Sequence, residues 1–192
     1  HDSMGDMQVP ADVLYGASTQ RAVLNFPISS RPVGWEMIRA FARLKRSAAY
    51  ANRELGKLDA RCTKLIVAAC TEVMAALTDP TTRAGMMRHF PVDTYQTGSG
   101  TQTNMNVNEV ISNMACKAAG KRIGDQDPVH PNDHVNMGQS SNDTFPTVMQ
   151  VAAAIQMKGE MIPSLQKLAR ALHSKAKAFD DIVKIGRTHL QD

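Results

Sequence analysis

Three segments of the sequence carry apolar side chains at steps of three and four residues, the spacing of one helix face. The first spans residues 35–55. The second follows Asp59, a favourable N-cap residue, and ends at Asp79-Pro80. The third holds a seven-residue pattern typical of a helix in a bundle. Its apolar positions are Met161, Leu165, Leu168, Leu172, Phe179 and Ile182, with Lys175 the one departure. The chain is therefore predicted to be mainly α-helical.

Gly and Pro residues indicate where the loops, helix ends and breaks in the rest of the chain lie. Residues 1–33 are rich in turn-forming residues and are predicted to be extended or irregular, with one short strand pair. Residues 90–103 are predicted to form a loop, followed by a helix over residues 104–119 that Gly120 closes. Residues 144–183 are predicted to be almost entirely helical, with a break or kink at Gly159 and Pro163.

Composition narrows the class of protein. With 43% hydrophobic and 21% charged residues, the chain is an ordinary globular protein and not a disordered one. Residues 31–64 hold nine Lys or Arg against three Asp or Glu. Because no aromatics alternate with these cations, a solvated helix face is favoured over a nucleic-acid surface.

The cysteines and the lengths of the apolar runs indicate the cellular compartment of the protein. Cys62, Cys70 and Cys116 lack metal-binding spacing and are predicted to be core thiols in a reducing compartment. No apolar run reaches membrane-spanning length. We therefore expect no nucleic-acid or membrane partner, and a cytoplasmic location, or the mitochondrial matrix in a eukaryote.

The polar run over residues 129–146 is too hydrophilic to form a core, and it leads into a predicted helix. Ser141, Asn142 or Asp143 would serve as N-cap, with Pro146 in the first turn. The unpaired N–H groups of such a terminus attract a carboxylate or a phosphate. The run therefore predicts half of a binding site for a small anion.

A second polar loop also precedes a helix. Gly98 and Gly100 flank Ser99, and Thr101 follows, but no Lys occupies the position that a phosphate-binding P-loop requires. Hydroxyl and backbone donors without a lysine favour a carboxylate ligand. A capped turn without any ligand is the alternative.

Three histidines lie in polar segments. His130 and His134 have the spacing of a metal pair, but Pro131 and Asn132 make a helix there improbable, so hydrogen bonding to the loop or to an anion is favoured and no metal is expected. His189 follows the long third helix in a polar turn. An exposed or capping histidine is the alternative to a functional role there.

Four separated motifs, in the same order, resemble those of class II fumarate hydratase. They are residues 97–106 (TGSGTQTNMN), 130–133 (HPND), 139–143 (QSSND) and 186–189 (GRTH). The resemblance implies the following fold: a fumarase-type helical N-terminal domain over residues 1–139, and the first long helix of a central helical bundle over residues 140–192.

The resemblance also implies an activity, the reversible hydration of fumarate to L-malate in the tricarboxylic acid cycle, with no metal or organic cofactor. His189 matches the catalytic residue that takes a proton from water. The positions that match substrate-binding residues are Ser99, Gly100, Thr101, Ser140, Ser141, Asn142 and Thr188. Those that match an outer dicarboxylate site are His130, Pro131, Asn132 and Asp133. Just before them, Asp125 and Asp127 stand where some members of the family have a basic residue.

Members of the family are longer homotetramers, and further catalytic groups lie beyond the position of Asp192. The chain is therefore expected to be an N-terminal portion that is inactive alone. Two alternatives remain open. Aspartate ammonia-lyase or another fumarate-releasing lyase is one, although aspartate ammonia-lyase typically carries Gln at the position of His189. A non-catalytic, structural use of the scaffold is the other.

Overall fold

The computed structural model describes residues 4–186 and 189–190, and helices dominate these ranges. The α-helices are α1 (Ala17–Asn25), α2 (Trp35–Glu54), α3 (Ala60–Thr78), α4 (Pro80–Met87), α5 (Thr101–Ala118), α6 (Ser141–Gln156) and α7 (Ile162–Ala178). Two π-helical segments are also present, the first π turn (Pro131–Val135) and the second π turn (Met157–Met161). The prediction of a mainly α-helical chain is confirmed.

The strand pair predicted near the N-terminus is wrong. The described residues contain no β-strand, and Pro32 and Asp93 form only an isolated antiparallel bridge. Helix α1 occupies this region instead. Its N-terminal N–H groups are satisfied by Glu109, a residue about ninety positions further along the chain. A local reading of residues 1–33 could not detect such a distant cap.

Helices α2 and α3 pack together, and the buried positions of α3 are those that its apolar pattern predicts, whereas Ala51 and Leu55 at the end of the α2 pattern are exposed. Phe41 and Ile38 of α2 and Ile66 and Leu77 of α3 are buried in one core. The carboxylate of Asp59 accepts hydrogen bonds from Arg61 N at 2.7 Å and Cys62 N at 2.9 Å, as expected of an N-cap. Two helices whose apolar stripes face each other bury most of their nonpolar surface. Helix α4, which the sequence analysis did not predict, follows directly.

Helix α5 runs through the middle of the core. Its residues from Val107 to Cys116 are all buried, and it contacts α1, α2, α3 and the first π turn. It begins at Thr101, three residues before the predicted start, because Gly100 adopts a φ of 66° that turns the chain directly into the helix. The polar loop is thus shorter than predicted, and Thr101 lies on the first helical turn.

The segment between α5 and α6 differs from its prediction in two ways. The first π turn occupies residues where Pro131 was expected to prevent a helix, and Pro131 is accommodated because it is the first helical residue. Helix α6 begins at Ser141, so Pro146 is an interior residue and not part of the first turn. Since proline has no N–H, the carbonyl of Asn142 lacks its α-helical partner.

The chain divides into two compact units, His1–Ala152 and Ala153–Asp192. In the second unit the break predicted at Gly159 takes the form of the second π turn, and Pro163 lies in the first turn of α7. Leu165, Leu168 and Leu172 of α7 are more than half exposed. The domain boundary expected between residues 139 and 140 stays a prediction. Within the described ranges, no helix is long and apolar enough to cross a membrane.

Candidate anion-binding site

The first turns of α5 and α6 lie side by side and are joined through their hydroxyl groups. Thr101 Oγ1 lies 2.9 Å from Ser141 Oγ and 3.0 Å from Ser99 Oγ. One turn further on, Thr144 Oγ1 donates to Asn104 Oδ1 at 3.4 Å. Two polar loops that the sequence places forty residues apart therefore meet at one position in the first unit.

Backbone N–H groups at both helix starts are left available. On α5, Thr103 N donates to Gln96 Oε1 and Asn104 N to Gly100 O, which leaves Thr101 N and Gln102 N without an acceptor among the described residues. On α6, Asp143 N and Thr144 N both donate to Ser140 O, which similarly leaves Ser141 N and Asn142 N. Four such donors, together with the positive ends of two helix dipoles, favour a bound anion.

A cavity of about 330 Å³ opens beside these helix starts. It is lined by Gly98, Ser99, Asn142, Phe145, Pro146 and Met149. The ring of Phe145 lies directly against Gly100, where there is no room for a side chain. The cavity therefore has hydroxyl and amide groups on one side and an apolar wall on the other, a combination suited to a small organic anion.

A buried lysine lies behind the two loops. Lys45 is fully buried on α2, and Nζ donates to Asn104 Oδ1 at 2.7 Å, to Asn136 Oδ1 at 2.9 Å and to Gln139 Oε1 at 2.9 Å. Burial lowers the pKa of Lys45 to about 7, and the thiol of Cys70 on α3 opposes this shift. The prediction of a solvated basic face over residues 31–64 is therefore wrong for Lys45.

Two carboxylates hold the surrounding segments in place. Glu109 of α5 accepts from Gly16 N at 3.0 Å, Ser18 N at 2.9 Å and Thr19 N at 3.1 Å, and so caps α1. Asp93 anchors the loop that carries Ser99. Neither role was predictable from the sequence, because the segments that Glu109 and Asp93 hold, at residues 16–19 and 29–30, lie more than sixty residues away and no local spacing signals them.

Asp93 binds the 29–30 turn to its own loop. Its oxygens accept from Ser29 N at 2.7 Å, Ser29 Oγ at 2.8 Å, Ser30 N at 2.8 Å and Tyr95 N at 2.8 Å. Burial acts to raise the pKa of Asp93, but these hydrogen bonds outweigh it and lower the pKa to about 2. Four bonds to one carboxylate make the base of the loop rigid.

The predicted outer site is built around the first π turn. His130 Nδ1 accepts from Asn132 N at 3.3 Å and Asp133 N at 3.1 Å, while His130 N donates to His134 Nδ1 at 2.9 Å. The two imidazoles thus stabilise the turn itself. Pro131 is buried, and Asn132 and Asp133 are exposed. The acidic residues upstream are paired, Asp125 with Arg122 at 3.6 Å and Asp127 with Lys121 at 3.0 Å.

The remaining predicted residues fall elsewhere. Ser140 supplies the carbonyl that closes the first turn of α6. His189 belongs to the second unit, where its backbone adopts a φ of 50°. Thr188 lies outside the described residues. In the first unit the structure brings together Ser99, Gly100, Thr101, Ser141 and Asn142.

Several known proteins are similar to this chain in sequence and in fold. Among curated relatives, the class II fumarate hydratase of Halobacterium salinarum is 53% identical over 191 residues, and that of Bacillus subtilis is 49% identical over 191 residues. Each comparison covers 100% of this chain and 39% of the relative, so the chain spans well under half of their length. The resemblance to class II fumarate hydratase is therefore confirmed.

Solved structures agree with this. A fumarate lyase:delta crystallin from Brucella melitensis matches with a TM-score of 0.90 and 39% identity, over 100% of this chain and 43% of that one. A class II fumarase from Schistosoma mansoni matches with a TM-score of 0.89 and 42% identity, over 100% of this chain and 39% of that one. A sequence model of the family described as "Lyase" matches residues 5–192. The chain belongs to this lyase family.

Proposed function

We propose that this chain supplies a dicarboxylate-binding part of a fumarate hydratase, which adds water reversibly to fumarate and forms L-malate. The observation that carries the proposal is the meeting of two helix N-termini through the hydroxyls of Thr101 and Ser141, 2.9 Å apart. The identity of about half of all residues with class II fumarate hydratases supports the choice of reaction.

The proposed ligand contacts follow from the donors at the site. A substrate carboxylate would accept from the free N–H groups at the start of α5 or α6 and from the hydroxyls of Ser99, Thr101 and Ser141. Gly100, Ser140, Asn142 and Thr188 complete the proposed substrate-binding set. Uncharged donors of this kind bind a carboxylate without forming an ion pair.

Such donors also suit the chemistry of the reaction. Hydration adds the oxygen of water to one alkene carbon of fumarate and a proton to the other. In the reverse direction, removal of the proton next to a carboxylate moves negative charge onto the carboxylate oxygens. Donors already aimed at those oxygens stabilise that charge more strongly in the transition state than in the ground state. We assign His189 as the base that takes a proton from water, since histidine is the side chain that most often serves as a general base.

Two further assignments belong to the same proposal. His130, Pro131, Asn132 and Asp133 form an outer dicarboxylate site on the first π turn. The exposed leucines of α7 pack against other copies of the protein in a homotetramer, because a row of apolar side chains on a helix is stabilised when another helix buries it. The proposed location is the cytoplasm, in keeping with three free cysteines.

The test is a hydration assay on the protein at its full natural length. The ultraviolet absorbance of fumarate should fall as malate forms, and Thr101→Val should reduce kcat/KM by about tenfold or more, as expected when a hydroxyl that binds a charged group is lost. Thr71→Val is the matched control, because Thr71 is an exposed residue of α3 whose hydroxyl bonds to Val67 O. Ammonia release from aspartate without hydration of fumarate would overturn the proposal.

A further inference from the structure

Lys45 differs from the other basic residues of its region. Residues 31–64 contain nine Lys or Arg, and Lys45 is the buried one, with no exposed surface. An ammonium group carries three N–H donors, and each has an acceptor here, namely an amide oxygen of Asn104, Asn136 or Gln139. The side chain is therefore fully engaged inside the first unit.

The three acceptors belong to the segments that form the candidate site. Asn104 lies on the first turn of α5, three residues after Thr101. Gln139 lies two residues before Ser141, where α6 begins. Asn136 directly follows the first π turn. One nitrogen atom thus bonds at the same time to both substrate-binding segments and to the turn that carries His130.

The orientation of each acceptor is fixed by a second hydrogen bond. Asn104 Nδ2 donates to Asn136 Oδ1 at 3.1 Å, Asn136 Nδ2 donates to Gln139 O at 3.1 Å, and Gln139 Nε2 donates to Val135 O at 3.0 Å. With every amide nitrogen committed as a donor, the amide oxygens face Lys45 and require a donor in return. A side chain without N–H groups would leave Gln139 Oε1 unpaired in the interior. Asn136 Oδ1 would keep only its bond from Asn104 Nδ2, and Asn104 Oδ1 only the 3.4 Å bond from Thr144 Oγ1.

The charge of this group is unusual for a protein core. Among the described residues no carboxylate forms an ion pair with Lys45, and the titratable group that faces it is the thiol of Cys70 on α3. A buried cation without a counter-ion is unfavourable, and an apolar side chain of similar size would stabilise a plain core better. A role connected with an anion accounts for its presence.

We propose that Lys45 is a positioning residue for the dicarboxylate site, which holds the N-termini of α5 and α6 at the separation that lets both bind one anion. It acts through Asn104 and Gln139, and it does not itself contact the ligand. The inference rests on the proposed function for the identity of the ligand. The part of the inference in which Lys45 holds the two segments together does not depend on which ligand binds.

The experiment compares three variants with the wild type, all at full natural length. Lys45→Met keeps an unbranched side chain of similar size and removes all three donors. Asn136→Ala is milder, because it removes one acceptor and leaves Lys45 in place. Lys64→Met is the matched control, since Lys64 is an exposed lysine of α3. Amide hydrogen exchange is followed over residues 99–104 and 136–144, and succinate binding is measured by calorimetry.

The expected result is local. Lys45→Met should raise the rate of amide hydrogen exchange by about tenfold or more in residues 99–104 and 136–144. It should also weaken succinate binding by about tenfold or more. Both are the effect expected from the loss of hydrogen bonds to a charged group. Exchange in α3 should not change. Asn136→Ala should act in the same direction with a smaller amplitude, and Lys64→Met should match the wild type.

Two results would overturn the proposal. The first is unchanged exchange in both segments of the Lys45 variant. The second is an equal rise across α3, which would show that Lys45 serves the core as a whole. If Lys45→Met does not fold, the same two criteria apply to Asn136→Ala. Failure of the wild type to bind succinate, with the local exchange pattern intact, would count against the proposed dicarboxylate function and not against the holding of the segments.

Discussion

The ring of Phe145 occupies the space that a side chain at Gly100 would need. A Cβ atom on Gly100 would overlap Cδ2 of Phe145, and the backbone φ of 66° at Gly100 is one that other residues rarely adopt. The start of α5 therefore approaches α6 more closely than any residue other than glycine would permit. This contact brings Thr101 within reach of Ser141.

Gly100→Ala should separate the two helix starts. The steric overlap with Phe145 and the unfavourable φ should together lower the free energy of unfolding by about 2–4 kcal/mol. Succinate binding should be lost, because the donors of α5 and α6 no longer face one ligand. Urea denaturation and calorimetry measure the two effects. Gly85→Ala, on α4, is the control, since no atom lies within 4 Å of its added Cβ. Equal behaviour of the two variants would contradict this account.

Glu109→Gln should destabilise α1. The carboxylate accepts three backbone N–H groups and the hydroxyl of Thr19 at 2.6 Å, and the amide nitrogen of Gln would place a donor against these donors. We expect a loss of about 2–3 kcal/mol, the range for hydrogen bonds to a charged group. Thermal unfolding measures it, and hydrogen exchange should rise first in residues 17–25. Glu72→Gln, at an exposed position on α3, should leave stability unchanged.

Asp93 should make the protein sensitive to acid. Its pKa in the folded state is lowered to about 2 from the ordinary 3.8. Because the folded state favours the ionised form, the stabilisation is fully present above pH 3.8 and is lost as the pH falls towards 2. Asp93→Asn should be less stable than the wild type at neutral pH, and the difference should shrink below pH 3.8. Urea denaturation at a series of pH values tests this, with the exposed Asp6→Asn as control.

Lys45 should titrate near neutral pH. In ¹³C-lysine NMR spectra, the Cε signal that disappears in Lys45→Met should have a midpoint near pH 7, the lowered pKa that burial produces. Because the folded state disfavours the charged form, the unfavourable contribution is fully present below pH 7 and fades as the pH rises towards 10.5. A bound dicarboxylate should raise the midpoint, since a nearby negative charge favours the ammonium form. A signal that stays in its ammonium form to alkaline pH would contradict the prediction.

Elements with a regular local pattern were predictable from the sequence. The apolar stripe from Cys62 to Leu77, with Asp59 before it and Pro80 after it, contains all the information needed for α3. The polar loops before α5 and α6 could likewise be identified as parts of one site, because each joins small residues and hydroxyls to a helix start. Only the structure shows that the two loops lie in direct contact.

Long-range contacts were not predictable. Lys45 has an ordinary helical position among exposed cations, and its burial depends on three amides that are 59, 91 and 94 residues away. Pro131 and Pro146 illustrate a related limit. Proline generally ends or kinks a helix. Here, however, Pro131 begins the first π turn and Pro146 lies inside α6, because tertiary packing stabilises both elements. Local preference alone could not anticipate either outcome.

The cap that Glu109 provides to α1 also has a consequence for folding kinetics. A helix of nine residues is too short to be stable alone, and its cap becomes available only after a loop of about ninety residues has closed. Helix α1 therefore forms after α5 is in place and stays largely unstructured in the folding transition state. Mutations within α1 should accelerate unfolding and leave the folding rate nearly unchanged.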